Sequence, residues 1–305
     1  MSDNVSRSVS LSAWLREPVP TSSWQARAQQ LWLSWRALRS NPSVMFGGTL
    51  IVVVTLLAIF APLVATHDIY AQDLSIRLQT PSSTHWLGTD ELGRDVFSRL
   101  VFGARITLYI AALTAVIAAP IGLLVGTTAG YVGGWVDTVL MRIVDVFLAF
   151  PSLILALSFV AALGPGIENA IIAISLAAWP PIARLARAET LSIRKSDYIA
   201  AVRLQKASSF RIIFHHIMPM CIPSVVVRVT LNMAAIILTA AGLGFLGLGA
   251  QPPSPEWGTM LSSAREFIFT NGTIAAIPGS AILLVSLAFN LLGDGLRDMM
   301  DPRHG

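Results

Sequence analysis

Residues 196–219 read SDYIAAVRLQKASSFRIIFHHIMP, a basic, helix-forming island carrying Arg203, Lys206, Arg211, His215 and His216 and closed by Pro219. Ser196 or Asp197 can cap a helix start, and Ala200, Ala201, Val202 and Leu204 continue it. What surrounds the island decides its meaning. Only 12% of this 305-residue chain is charged and 54% is apolar, about half the roughly 25% charge of soluble domains. A mean hydropathy of +0.67 points the same way. The solvent is lipid, and the island is a polar connection between membrane spans.

Working outward gives about six apolar segments. Residues 44–66 form the first span; its uncharged stretch, 46–66, reaches ~30 Å as a helix. A polar loop, 67–104, follows, and then an uncharged run from Arg105 to Val136. Residues 138–163 read as a third span with Arg142 and Asp145 near its start. A shorter fourth, 167–186, is interrupted by Pro180 and Pro181. The fifth runs from Pro219 to about Gly249, kinked at Pro223, and the sixth from Gly272 to Gly293. The fold class is therefore an all-α membrane protein.

Basic residues set its orientation. Arg7, Arg16, Arg27, Arg36 and Arg39 precede the first span. Arg184, Arg187, Arg194, Lys195, Arg203, Lys206 and Arg211 crowd the fourth-to-fifth connection, and Arg297 and Arg303 lie in the tail, 295–305. With six spans these regions share one side, which the positive-inside rule makes cytoplasmic, both termini included. The 67–104 loop is then periplasmic. Within the N-terminal segment, 1–43, Trp24, Ala28, Leu31, Trp35 and Leu38 recur at helical spacing over 22–39. With Arg27 and Arg39 alongside, they suit a helix lying in the membrane interface.

The island resembles the EAA loop of ABC-importer permeases, with His216-Ile217-Met218-Pro219 as its ending and Ala201-Val202 in place of the Ala pair. Four further stretches look like the second (C-type) permease subunit of dipeptide, oligopeptide and nickel importers. They are HWLGTDELGRDVFSRLVFGAR (85–105), GGWVDTVLMRIVDVFLAFPSLILAL (133–157), FLGLGAQPPSPEWGTML (245–261) and AFNLLGDGLRDMMDPR (288–303). The resemblance covers about residues 42–303 and implies a type I ABC importer permease fold in a bacterial inner membrane, with the importer core in 105–294.

It implies partners too: a homologous sister permease, two cytoplasmic ABC ATPases that hold ATP and Mg, and an extracytoplasmic substrate-binding protein. No cofactor on this chain and no nucleic acid are implied. Cargo would be a di- or oligopeptide, a glutathione-like peptide or chelated nickel. The segment at about 196–207 would be the coupling helix, with Asp197, Tyr198, Ala201, Arg203, Lys206 and Ala207 toward the ATPase. The family keeps Glu where this chain has Ala200 and Gly where it has Lys206. A glycine there would let the chain turn, so Lys206 must either continue the helix or adopt an unfavourable turn; the expectation is that it extends the helix and meets an acidic rim on the ATPase.

Other residues are candidates for chemistry. Arg228 is expected about 13 Å into the fifth span, and an ionisable group there is a candidate functional site. With Asn232 one turn on, it either contacts cargo carboxylates in the transport path or is satisfied by the partner subunit or helix carbonyls. Arg142–Asp145 and Asp294–Arg297 are spaced to pair along their helices. His215, His216, Met218, Met220 and Cys221 are soft ligands, but adjacent histidines point about 100° apart on a helix; an interfacial hinge is the better reading. Glu168 belongs to a solvated turn, and Trp257 to an ordered external loop as an interfacial anchor. LGTDELGRD lacks a nucleotide-loop pattern, and capping and turns account for it. The sequence has no GxxxxGK[ST], HExxH or Cys-x-x-Cys motif, so no enzyme is read from it. The alternative class, a self-sufficient secondary transporter or channel, calls for an internal repeat and midplane acidic or histidine residues; it leaves the island without a purpose.

Overall fold

A computed structural model describes residues 22–300, and among these the regular structure is helical. Helix α1 (Ser23–Ser40) starts where the Ser22 hydroxyl accepts from Gln25 N at 3.1 Å. Asn41 caps α2 (Pro42–Ile59), accepting from Ser43 and Val44 with Pro42 at the first helical position. The first span then breaks at Phe60, before a single turn, α3 (Ala61–Val64), that contains Pro62. On α1, Trp24 is exposed and Gln25 buried; the side chains of Leu31 and Trp35 lie outside the described residues.

Asp95 caps α4 (Val96–Val132), so this helix starts inside the segment expected to be loop. Gly133, at φ +72°, turns the chain into α5 (Gly134–Leu148). The expected single span over 138–163 is two legs instead: α5 and α6 (Ser152–Leu163) meet at 92°. Pro151 explains the break, since it cannot donate to residue 147 and drives Phe150 out of the helical region. The reverse holds in α7 (Ile167–Ile193), which runs unbroken through Pro180 and Pro181; close packing in a membrane bundle tolerates such prolines.

The island forms α8 (Asp197–Leu204), α9 (Ser209–Ile212) and a π-turn over Ile213–Ile217. It continues without a break into α10 (Met218–Phe245). Two more helices follow, α11 (Trp257–Ala264) and α12 (Thr273–Met300). Among the described residues, five helices are long and apolar enough to cross a bilayer, or six if the bent α5–α6 pair counts as one span.

The α4–α7 pair makes the most extensive contact among the described elements. Its seam is a GxxxGxxxG stripe: a Cβ on Gly122 would meet Ile182 Cβ at 2.7 Å, and one on Gly130 would meet Thr190 Cβ at 2.7 Å. Lipid tails are as apolar as side chains, so helices in a membrane associate through such close packing. Ile110, Val144, Ile174, Ile182, Ile237 and Leu243 fill the core between α4, α5, α7 and α10.

Candidate functional site

Helix α8 stands on a small cluster of its own. Ile199 and Val202, one turn apart, are buried with Ile212, Ile217 and Cys221, and Leu123, Tyr131 and Ile193 of the bundle pack against them. Ser196 caps the helix, accepting from Ile199 N at 3.4 Å. Two side chains strap it down. Tyr198 Oη lies 2.6 Å from His216 Nδ1 in the π-turn, and the Arg203 guanidinium sits 5.2 Å from the centre of the Tyr131 ring at the end of α4. Beside it, Arg194 donates to the Gly130 carbonyl at 2.7 Å. These contacts tie α8 to the end of α4 and to the π-turn.

The other side of α8 is open. Tyr198, Ala200 and Ala201 are exposed, and Leu204 is 85% exposed, an unusual position for a leucine that ends a helix. Phe210, 66% exposed, adds a second apolar projection just beyond. Asp197, Arg203 and Lys206 are also exposed, whereas Ala207 packs inward on the Ile199 cluster. The expectation that Lys206 extends the helix is wrong. The helix ends at Leu204, Gln205 caps it, and Lys206 takes φ +59° with its N–H on the Arg203 carbonyl at 2.9 Å. Lysine here adopts the left-handed conformation that glycine adopts at lower cost, because that turn is the way back toward α9.

His215 and His216 do not form a metal pair: His216 faces Tyr198, and both lie in the π-turn. This wide turn occupies the hinge position, where α9 becomes α10.

Arg228 and Asn232 line one continuous face. Arg228 borders a cleft of ≈ 400 Å³ with Glu189, Ser224, Leu231 and Arg297, and a second of ≈ 400 Å³ with Leu148, Pro181 and Arg184. Pro181 also borders the ≈ 120 Å³ pocket that holds Asn232, Ser152 and Thr239. Arg228 thus shares its cleft with charges from the last turns of α7 and α12. Its neighbours Glu189 and Arg297 place it toward the α8 end of the bundle.

The expected pairs along single helices are replaced by pairs between helices. Asp145 takes Arg184 of α7 at 2.6 Å, leaving Arg142 exposed. Arg187 grips Asp137 through two bonds, Nε–Oδ1 at 2.5 Å and Nη2–Oδ2 at 2.6 Å. No Asp294–Arg297 ion pair forms among the described residues; Arg297 lines the Arg228 cleft instead.

At the far end, the turn residues of LGTDELGRD form a knot. Asp90 accepts from Leu92 N and Arg94 N and pairs with Arg94 at 2.7 Å. Arg99 lies 3.4 Å from Asp90 and donates to the Ile69 carbonyl at 3.0 Å. Trp257 is no surface anchor: it is buried as the first residue of α11, and its indole N–H donates to the Leu100 carbonyl at 2.9 Å. Glu256 caps that helix from a buried position. Burial pushes its carboxyl above the usual range, against the opposing pull of the Gly258 and Thr259 amides and the Thr259 hydroxyl.

Sequence reasoning passed over the glycine stripe, Leu204, Phe210 and Glu256. The stripe's regular four-residue spacing is a readable signal. The exposures are not, because hydropathy makes Leu204 look like core.

The chain's similarities fit this architecture. Residues 118–304 match the model of the binding-protein-dependent transport system inner membrane component family, and residues 29–81 match the N-terminal TM domain of oligopeptide transport permease C. The dipeptide transport system permease protein DppC of Alkalihalophilus pseudofirmus is 45% identical over 270 residues, covering 88% of this chain and 89% of the relative. A probable D,D-dipeptide transport system permease protein, DdpC of Escherichia coli, is 42% identical over 92% of this chain and 94% of its own length. The glutathione transport system permease protein GsiD of Pectobacterium atrosepticum is 42% identical over 88% and 90%. Among solved structures, an inward-facing MetNI methionine ABC transporter chain superposes with a TM-score of 0.55 at 22% identity, covering 67% of this chain and 97% of that one; this speaks to the fold. The chain belongs to the binding-protein-dependent transport system inner membrane component family and is a permease subunit of an ABC importer.

Proposed function

We propose that the chain forms half of a translocation pore for peptides or related small substrates, with α8 as the element on which partner ATPases act. The observation that carries this reading is the two-sidedness of α8. One side is strapped to α4 and the π-turn through Arg203–Tyr131 and Tyr198–His216, and the other presents Ala201 and Leu204 to a partner. A surface helix with apolar projections fits a groove on another protein. Asp197, Arg203 and Lys206 give its rim charge, and Ala207 supports it from beneath.

In this reading a homologous sister permease supplies the other half of the pore, and two ATPase subunits carry ATP and Mg on the α8 side. An extracytoplasmic binding protein delivers cargo to the side of the 65–95 loop. Both termini face the cytoplasm with α8. Arg228 and Asn232 line the path, the guanidinium attracting the cargo's carboxylate. Peptide cargo is supported by the similarity to the dipeptide and glutathione permeases.

Reconstitution into liposomes tests it. Di- or tripeptide uptake is expected only with sister permease, ATPases, binding protein and ATP all present. Uptake by this chain alone without ATP would sink the proposal and restore the secondary-transporter class. Arg228→Ala is expected to leave assembly intact and reduce uptake.

A further inference from the structure

Among the described residues, one group brings three potential metal ligands together, and transport does not use it. His67 follows α3, His85 lies just before the LGTDELGRD stretch, and Asp95 ends that stretch and caps α4. One ligand atom from each lies within 4.8 Å of the other two. We propose that His67, His85 and Asp95 form a binding site for a borderline divalent cation of the Zn²⁺ class, clamping the connection between α3 and α4.

The donor set fits that ion: two imidazoles and one carboxylate suit Zn²⁺ and its neighbours rather than Ca²⁺ or Mg²⁺. So do the spacings. Asp95 Oδ1 lies 2.9 Å from His85 Nδ1 and 3.7 Å from His67 Nδ1. For a metal about 2.05 Å from each ligand, those separations subtend angles of about 90° and about 130°, on either side of the tetrahedral value.

The carboxylate is already divided for the task. Its Oδ2 accepts from Ser98 N at 2.8 Å, capping α4, which leaves Oδ1 toward the two imidazoles. The two rings lie nearly side by side, with centroids 4.5 Å apart at 30°. The side chains of His67 and His85 are 39% and 12% exposed. The carboxylate is therefore buried while the His67 side opens to solvent, leaving room for a water as fourth ligand, the pattern of an open three-ligand site.

Bound metal would hold His67 against the cap of α4, joining residues far apart in sequence, so the clamp restrains the connecting loop. His67→Ala is the variant of choice: it leaves both the His85–Asp95 contact and the helix cap in place. The full-length chain, purified in detergent and stripped with chelator, is titrated with Zn²⁺ by equilibrium dialysis. Co²⁺ absorption reports the geometry of the same site. One saturable Zn²⁺ per chain is expected, with a four-coordinate Co²⁺ spectrum; affinity should fall by more than about 100-fold in His67→Ala, since losing a direct ligand exceeds the roughly 10–100-fold cost of losing an outer-shell partner, and stay unchanged in His215→Ala. Absence of saturable binding, binding that survives His67→Ala, or binding lost in His215→Ala would each overturn the assignment.

Discussion

Replacing Lys206 with proline or with glycine separates the turn after α8 from the charge it carries. Lys206 holds φ +59° and donates its N–H to the Arg203 carbonyl at 2.9 Å. The left-handed conformation costs an L-residue about 1–2 kcal/mol. Glycine removes that cost but gives the unfolded chain about 0.5–1 kcal/mol more backbone entropy to lose. The two nearly cancel, and Lys206→Gly should keep the turn. Proline fixes φ near −65° and has no N–H, so it excludes the observed turn and deletes its hydrogen bond, a loss of about 3 kcal/mol or more. Because every 1.4 kcal/mol is tenfold, opening of α8 should become about 100-fold more frequent. Hydrogen exchange of amides 198–205 in the assembled transporter measures this directly, with ATP-driven uptake read on the same samples. Lys206→Pro should lose protection and uptake together, while Lys206→Gly keeps both. Wild-type protection and uptake in Lys206→Pro would refute the account of this turn, and loss of uptake in Lys206→Gly would show that the charge matters instead.

The helix seam, the ion pairs and the buried acid each give a further test. In Gly126→Ala the new Cβ meets Ala186 Cβ at 2.7 Å, well inside a normal contact of about 3.5–4.0 Å. The melting temperature should drop by the equivalent of about 1–3 kcal/mol, whereas Gly48→Ala, whose nearest neighbour is 3.9 Å away, should be near neutral. Asp137→Ala strips half-buried Arg187 of both its bonds, and a loss of about 1–2 kcal/mol is expected after allowance for solvent. Asp137→Ala/Arg187→Ala should recover part of it in a double-mutant cycle, and a coupling of zero would count against the pair. Glu256 has a raised carboxyl, so the native state holds a proton that the unfolded chain releases. Its contribution is therefore present below the ordinary glutamate value and is lost as pH rises through the folded value. Glu256→Gln should flatten thermal stability against pH over that window, and parallel curves for the two proteins would contradict this.

The legible parts of the fold were those that composition controls. Six apolar segments, their order and the basic island follow from residue type, because a bilayer admits little but helices. Breaks were harder to place, since proline acts through its surroundings. Pro151 splits an apolar run into legs at 92° while Pro180 and Pro181 leave α7 continuous, and nothing local in the sequence separates these cases. The same limit applies to pairing: Asp145 has Arg142 one turn away but takes Arg184, which only the packing of α5 on α7 brings near. At the island, resemblance located α8, but reading lysine by its helix propensity misjudged the end. Lys206 looks like a helix former, and the tertiary route of the chain overrides that propensity.

The central claim is that the open side of α8 meets an ATPase, and a cross-link tests it most directly. Cys221 is the only cysteine in the chain and is buried, so a thiol introduced at exposed Ala201 reports alone. Ala201→Cys, treated with a short bifunctional thiol reagent in the assembled importer, should link to the ATPase chains and not to the binding protein, with Trp86→Cys on the opposite loop giving the reverse. Linkage of Ala201→Cys to the binding protein, or of Trp86→Cys to an ATPase, would contradict both the coupling role of α8 and the orientation on which it depends.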